Sequence, residues 1–236
     1  MKIFKFYNRY ELIAQCFPAL ITLIPASLII FVLKKSSWFS IFQSTSALAL
    51  TENIGLSFVA LFVLMQFQRF LAKYYLEKKL FTDGIRLPTT QMLLFADGRL
   101  SKSMKKRIRR KILRDFNFTL SNEEEEKSDL DEALKLIIEA VALIRSKVRD
   151  GRLCINYNIQ YGFFRNLIAG AFFAIPLSLF SLVVCTIYSS KVGIVFSSLS
   201  ILFYFGLFLL RNVILNNLSE SYAKNLFTEY ISHGGE

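Results

Sequence analysis

The apolar residues of this chain are gathered into four long runs, residues 13–33, 46–67, 167–188 and 192–210. Within each run they are continuous rather than alternating, which marks a helix and not a barrel strand. A lipid interior offers the backbone no hydrogen-bond partner, so a spanning segment must satisfy its own amides and carbonyls, and a helix does so. Residues 13–33 would cover roughly 31 Å at 1.5 Å per residue, the thickness of a bilayer core. The pattern predicts an all-α polytopic membrane protein: four transmembrane helices in two hairpins, with a helical cytoplasmic domain between them. Pro18 and Pro25 in the first run and Pro176 in the third predict kinks. Lys2, Lys5 and Arg9 precede the first run as they would a signal sequence. That run is too long for one and Lys34 and Lys35 follow it, so it reads as a retained span.

Outside the runs the rhythm changes. Residues 68–81 keep apolar positions on one side and basic ones on the other, predicting that the second span continues as a cytoplasmic stalk. Pro88-Thr89-Thr90 predicts a short helix to Phe95 with a threonine cap, and Asp97-Gly98 a turn. Ser101 or Ser103 opens a basic helix to Phe116. Ser128 with Asp131 resembles a capping box ahead of an amphipathic helix to about Arg149, which presents Leu130, Leu134, Ile137, Ile138, Val141, Ile144 and Val148 on one face. The fourth span continues from Arg211 to about Ile231, with Ile214, Leu215, Leu218, Tyr222, Leu226 and Tyr230 near a helical rhythm. Three regions follow: a first hairpin with its stalk (1–81), a basic helical domain (82–160), and a second hairpin with a C-terminal helix (161–236).

Composition and charge give this plan a direction. The chain is 53% hydrophobic with 24 Phe, more apolar surface than a soluble domain of 236 residues has use for, and its net charge is +11. Of the 29 basic residues, 26 fall in the two terminal segments and the central region, and only 3 in the two hairpin turns. Cytoplasmic loops collect Lys and Arg, so both termini and the central domain are expected inside. The three cysteines have neither zinc-ligand spacing nor a disulfide framework and read as packing residues.

Catalytic signatures are missing from the sequence: no GxSxG, no P-loop, no HExxH, and a lone histidine, His233, near the end. An enzyme is not expected, and no cofactor or metal is called for. The strongest local signal is residues 101–114, where Lys102, Lys105, Lys106, Arg107, Arg109, Arg110, Lys111 and Arg114 occur without an acid, and Leu100, Met104, Ile108 and Ile112 form one apolar stripe. Three readings stand for it: a surface for a nucleotide or nucleic acid, docking on anionic lipid, and a solvated helix latched to the acidic run Glu123 to Glu126. Glu52 is the one acid in an expected span, either a pore-mouth residue or an interfacial one. Ser178, Ser181, Thr186, Ser197, Ser198 and Ser200 either line a wet path or let helices pack closely. Tyr161, Phe164, Arg165 and Asn166, just before the third span, read as coupling residues between domain and membrane or as an interfacial aromatic belt.

Two segments, RLPTTQMLL (86–94) and NIQYGFFRNLIAG (158–170), together resemble an uncharacterised group of small bacterial membrane proteins with a Pro-Thr-Thr segment after the second span and a Tyr-Gly-Phe-x-Arg-Asn-Leu segment before the third. In plan the chain is also similar to four-span effectors of bacterial anti-phage systems. That resemblance implies a multi-pass protein of the bacterial inner membrane that opens or perturbs the bilayer on a cytoplasmic signal. The implied partners are the lipid bilayer, further copies of the chain, and a cytoplasmic protein, nucleotide or nucleic acid as trigger. The alternative expectation is a non-conducting anchor or scaffold that recruits a cytoplasmic partner.

Overall fold

The computed structural model describes residues 9–34 and 54–232, all helix and connecting turn, with no β-strand among them. Glu52, the connector containing Trp38, and His233 lie outside the described residues. Three helices are long and apolar enough to cross a membrane: Arg9–Leu33 (α1), Arg152–Ile187 (α7) and Lys191–Leu209 (α8). Of the second expected span the described part begins at Ile54, in helix Ile54–Leu71 (α2). The chain divides into two compact units, Met1–Lys73 with Gly162–Asn212, and Tyr74–Tyr161 with Val213–Glu236.

In the first unit the two prolines of α1 act where expected, whereas Pro176 lies inside α7 without interrupting it. α1 passes through a π-helical turn, Leu12–Cys16, immediately before Pro18, and is interrupted again at Leu23 before Pro25. Proline has no N–H to give and its ring crowds the preceding turn, so each sits at the start of a new helical segment. Gly162 lies against Tyr10 and Ala14, and Gly170 against Thr22, so α1 and α7 run in the same direction. α7 and α8 form an antiparallel pair closed by a turn at Ser189, whose φ is +52°, with Ser190 capping α8 through the Gly193 amide. Phe67 of α2 meets Phe173 of α7 edge-on at 5.8 Å. The outer faces are strongly apolar: Phe58, Phe62, Phe180, Ile187, Val192 and Leu202 are each about half exposed or more. Such a surface is stable where lipid, not water, is the solvent.

The second unit is a helical module with one core. After α2 the chain continues through a π-helical segment, Ala72–Glu77, and Lys78–Phe81. It then forms Pro88–Gln91 (α3), Lys102–Phe116 (α4), Glu123–Ser128 (α5) and Leu130–Lys147 (α6). The core joins Met92 and Leu93, Ile108 and Ile112 of α4, the inner face of α6, Cys154 of α7, and Ala223, Leu226, Phe227 and Tyr230 of the last helix, Arg211–Ser232 (α9). Residues more than a hundred positions apart thus share one interior, and α9 is part of it.

Some local chemistry differs from the sequence expectation. α3 is opened by Pro88 at its first turn rather than by a threonine cap. Thr89 and Thr90 are buried instead, Thr90 Oγ1 donating to the Gly84 carbonyl and Thr89 Oγ1 accepting from Arg145. The capping box belongs to Asn122 and Glu125 at α5, and Asp129, not Ser128, caps α6 by accepting from the Glu132 amide. A carboxylate at the positive end of a helix is a better acceptor than a hydroxyl.

Candidate functional site

The eight basic residues of α4 separate into two sets. Burial of Ile108 and Ile112 turns one side of the helix toward the core, and the cations flanking that side are drawn in with it. Lys105 is 3% exposed, and its ammonium donates to the carbonyls of Leu94 and Asp97. Arg109 donates to the carbonyls of Ser121 (2.6 Å) and Leu93 (2.9 Å), stacks over the Phe95 ring at 4.1 Å, and pairs with buried Glu126 at 3.5 Å. Glu126 in turn accepts from the Phe95 amide. Lys111 lies over the Tyr230 ring at 5.2 Å. Burial pushes the basicity of all three down; Asp97 and Glu126 oppose this at Lys105, Glu126 at Arg109, and Asp115 at Lys111. Lys105 and Arg109 tie loops to the core, and Lys111 packs against α9.

The other set faces out. Lys102, Lys106, Arg110 and Arg114 recur every four residues and so form one exposed stripe, with Arg107 beside it. Arg114 reaches Asp115 at 3.2 Å while its side chain stays 62% exposed. No hydrogen bond or ion pair among the described residues ties down Lys102, Lys106, Arg107 or Arg110. Leu113, 49% exposed, lies among these charges. Asp115 is enclosed. Burial favours its neutral form, but Lys147 at 2.9 Å, Arg114 and the Tyr230 hydroxyl outweigh this and hold its carboxyl below the usual range.

In the first unit a second set of polar groups comes together. Ala14 lies four residues before Pro18, so in a regular helix its carbonyl would wait for a proton that Pro18 does not have. The Asn166 side-chain amide donates to it at 2.6 Å. One turn further along α7, Gly170 leaves room for Thr22 and Gln68. Gln68 Nε2 donates to Thr22 Oγ1 at 2.8 Å, and Thr22 donates to the Pro18 carbonyl at 2.8 Å. A methyl group on Gly170 would collide with the Thr22 hydroxyl and lie 2.9 Å from Gln68 Nε2. Gln68 and Thr22 are completely buried, and so, nearly, are Asn166 and Tyr204. Gln68 Oε1 and Asn166 Oδ1 have no hydrogen-bond partner among the described residues. Further along, Ser178 pairs with Ser200 and Ser181 with Ser197, each at 2.8 Å, joining α7 to α8. Close helix packing is the reading this geometry supports for Ser178, Ser181, Ser197 and Ser200, whose hydroxyls bond to one another across the helix pair, whereas Thr186 donates to the Leu182 carbonyl of its own helix.

Of the four coupling candidates, one falls in the second unit and three in the first. Tyr161 closes the second unit and donates to Glu77 at 2.8 Å, whereas Phe164, Arg165 and Asn166 belong to the first. Phe164 packs edge-on against Phe163 at 5.4 Å. Thr22, Gln68 and Gly170 went unremarked in the sequence as a set. Their signal was there, as two hydrogen-bonding side chains and a glycine on largely apolar helices, since in lipid such groups turn inward. No protein-family model, curated protein or solved structure matches the chain.

Proposed function

We propose that the chain is a non-enzymatic membrane effector that crosses the bilayer four times, assembles as a homo-oligomer in a bacterial inner membrane, and perturbs or opens that membrane when its cytoplasmic module receives a signal. The observation that carries this reading is α7. One unbroken helix, Arg152–Ile187, supplies Cys154 to the core of the helical module and then Asn166, Gly170, Ser178 and Ser181 to the polar contacts of the membrane unit. A signal that changes how the module packs acts on the same helix that organises the membrane contacts. It shifts the balance between two arrangements by its differential affinity for them. Parallel α1 and α7 are consistent with two hairpins that each start from the same side.

The paired serines bond α7 to α8, and in this reading a conducting path forms between copies and not through one. A defence role in phage infection, with a nucleotide, nucleic acid or protein as the signal, is the biological setting that the resemblance in plan favours. The test is expression in bacteria with a membrane-potential dye, with and without phage challenge. Depolarisation that appears on challenge and disappears on Gly170→Leu supports the effector. A chain that never alters potential under any challenge contradicts it.

A second reading, a non-conducting scaffold, is favoured by the unpartnered cations of α4, which present a ready docking face. It predicts recovery of a cytoplasmic partner on the intact protein, lost when Lys106, Arg107 and Arg110 are neutralised, with no depolarisation in any condition.

A further inference from the structure

We propose that the exposed basic face of α4 in one copy seats against the exposed acidic segment Glu123 to Glu132 of a second copy of this chain. The inference rests on the reading that copies assemble in the membrane, and it assigns the contact that joins their helical modules.

Both halves of the contact are on the surface of one module. The basic half is Lys102, Lys106, Arg107 and Arg110, with Arg114 at its end. The acidic half is Glu123, Glu124, Glu125, Asp129, Asp131 and Glu132, all exposed within ten residues. Lys127 and Lys135 offset it in part, through pairs with Glu123 and Glu132 on their own helices, and Lys102 of the same chain also acts on Glu123. Within the chain the two segments are joined by Arg109 and Glu126, which are turned toward each other and enclosed. That latch consumes the inward charges, while Lys106, Arg107 and Arg110 on one side and Glu124 and Asp131 on the other form no ion pair among the described residues.

Each charged set also contains a leucine that the core does not use. Leu113 is 49% exposed among Arg110 and Arg114, and Leu130 is 50% exposed between Asp129 and Asp131. Leu130 belongs by sequence rhythm to the buried face of α6, yet it stands outside the core. An apolar contact ringed by opposite charges is the ordinary anatomy of a protein interface, and complementary charge gives it register. An anionic lipid surface would satisfy the basic half alone. It would repel the neighbouring acidic segment and leave Leu130 without a role. A face that is complementary to another face of the same chain, rather than to itself, can build closed rings, and anchorage in one plane favours closure.

The experiment uses full-length protein in native-like membranes. Zero-length carbodiimide joins a lysine amine to a carboxylate only when they touch, so isotopically distinct copies are mixed, coupled and mapped. The proposal expects inter-copy bonds from Lys102 or Lys106 to acids in the segment Glu123 to Glu132, suppressed at molar salt. Reversal of Lys102, Lys106, Arg107 and Arg110 to Glu, or of Glu124, Asp131 and Glu132 to Lys, is expected to lower coupling at least about tenfold in each variant alone, as the loss of several exposed pairs implies. An equal mixture of the two variants restores it. Coupling in the unaltered chain keeps the proposal testable if a reversed variant does not fold. Oligomers that survive both reversals, or a mixture without rescue, overturn the interface while leaving assembly itself standing. Unchanged coupling with lost retention on phosphatidylglycerol vesicles makes lipid the occupant and overturns it too. A chain monomeric in membranes at every density overturns both this contact and the assembly it rests on.

Discussion

Lys105 and Lys106 are adjacent in sequence and opposite in consequence. The first is buried and holds the carbonyls of Leu94 and Asp97; the second is exposed and bonds to nothing described. Lys105→Met strips enclosed carbonyls of their donor and should destabilise the helical module by about 1–3 kcal/mol. Lys106→Gln should change stability by no more than about 0.5 kcal/mol. Hydrogen exchange of the core amides of α4 and α6 distinguishes them, and equal protection in the two variants would refute the division of the basic helix into pinned and free cations. At Gly170 the issue is space. The Thr22 hydroxyl cannot swing away from an added methyl without losing both its bonds, so Gly170→Ala should destabilise the membrane unit by about 1–3 kcal/mol. This is measurable as a lower midpoint for detergent denaturation. Sequence rhythm named the eight cations but not which were free, because a helix of radius about 2.3 Å leaves flanking positions at the border of its buried stripe. What packs there decides: residues 93–97 and 121 at Lys105 and Arg109, and α9 at Lys111.

At the scale of elements, the ion pairs around Asp115 join α4 to α6 and set a pH dependence. The folded carboxyl ionises more readily than an ordinary one, so its stabilising effect is complete above the usual carboxylate range and is lost as pH falls through the lowered folded value. Thermal melts of the module should therefore weaken below about pH 4, and Asp115→Asn should flatten that acid limb while lowering stability at neutral pH. A limb unchanged by the substitution would show that other carboxylates govern it. In the membrane unit the Ser178–Ser200 contact fixes the register of α7 and α8. With the native cysteines replaced, Ser178→Cys with Ser200→Cys should form a disulfide on mild oxidation. Ser178→Cys with Leu202→Cys should not, since Leu202 is 67% exposed.

The helices themselves were legible because each is written in a long pattern: continuous apolar runs for α1, α7 and α8, and a 3.6-residue stripe for α4 and α6. Their ends were less so. Asp129 displaced Ser128 as a cap, and Pro88 displaced the threonines, because neighbouring candidates compete and tertiary contacts choose among them. The rhythm of α9 was visible, but its partners, Phe116 and the inner face of α6, were not. A stripe states that a face is buried and not what buries it. The Thr22, Gln68 and Gly170 group shows the same limit, being three unremarkable residues from three helices until packing joins them.

For the whole molecule, the central proposition is topological: four crossings, with the N-terminus and the helical module on the cytoplasmic side. Three helices meet the requirements of length and apolarity, and α1 and α7 run parallel. The direct measurement is labelling of single cysteines in intact cells with a membrane-impermeant maleimide, in a background without the native cysteines. The account predicts that Ser190→Cys, in the turn between α7 and α8, is labelled from outside, while Lys2→Cys and Arg107→Cys are labelled only after the membrane is opened. Labelling of Arg107→Cys from outside with Lys2→Cys protected would mean an odd number of crossings before the module, and would contradict the account.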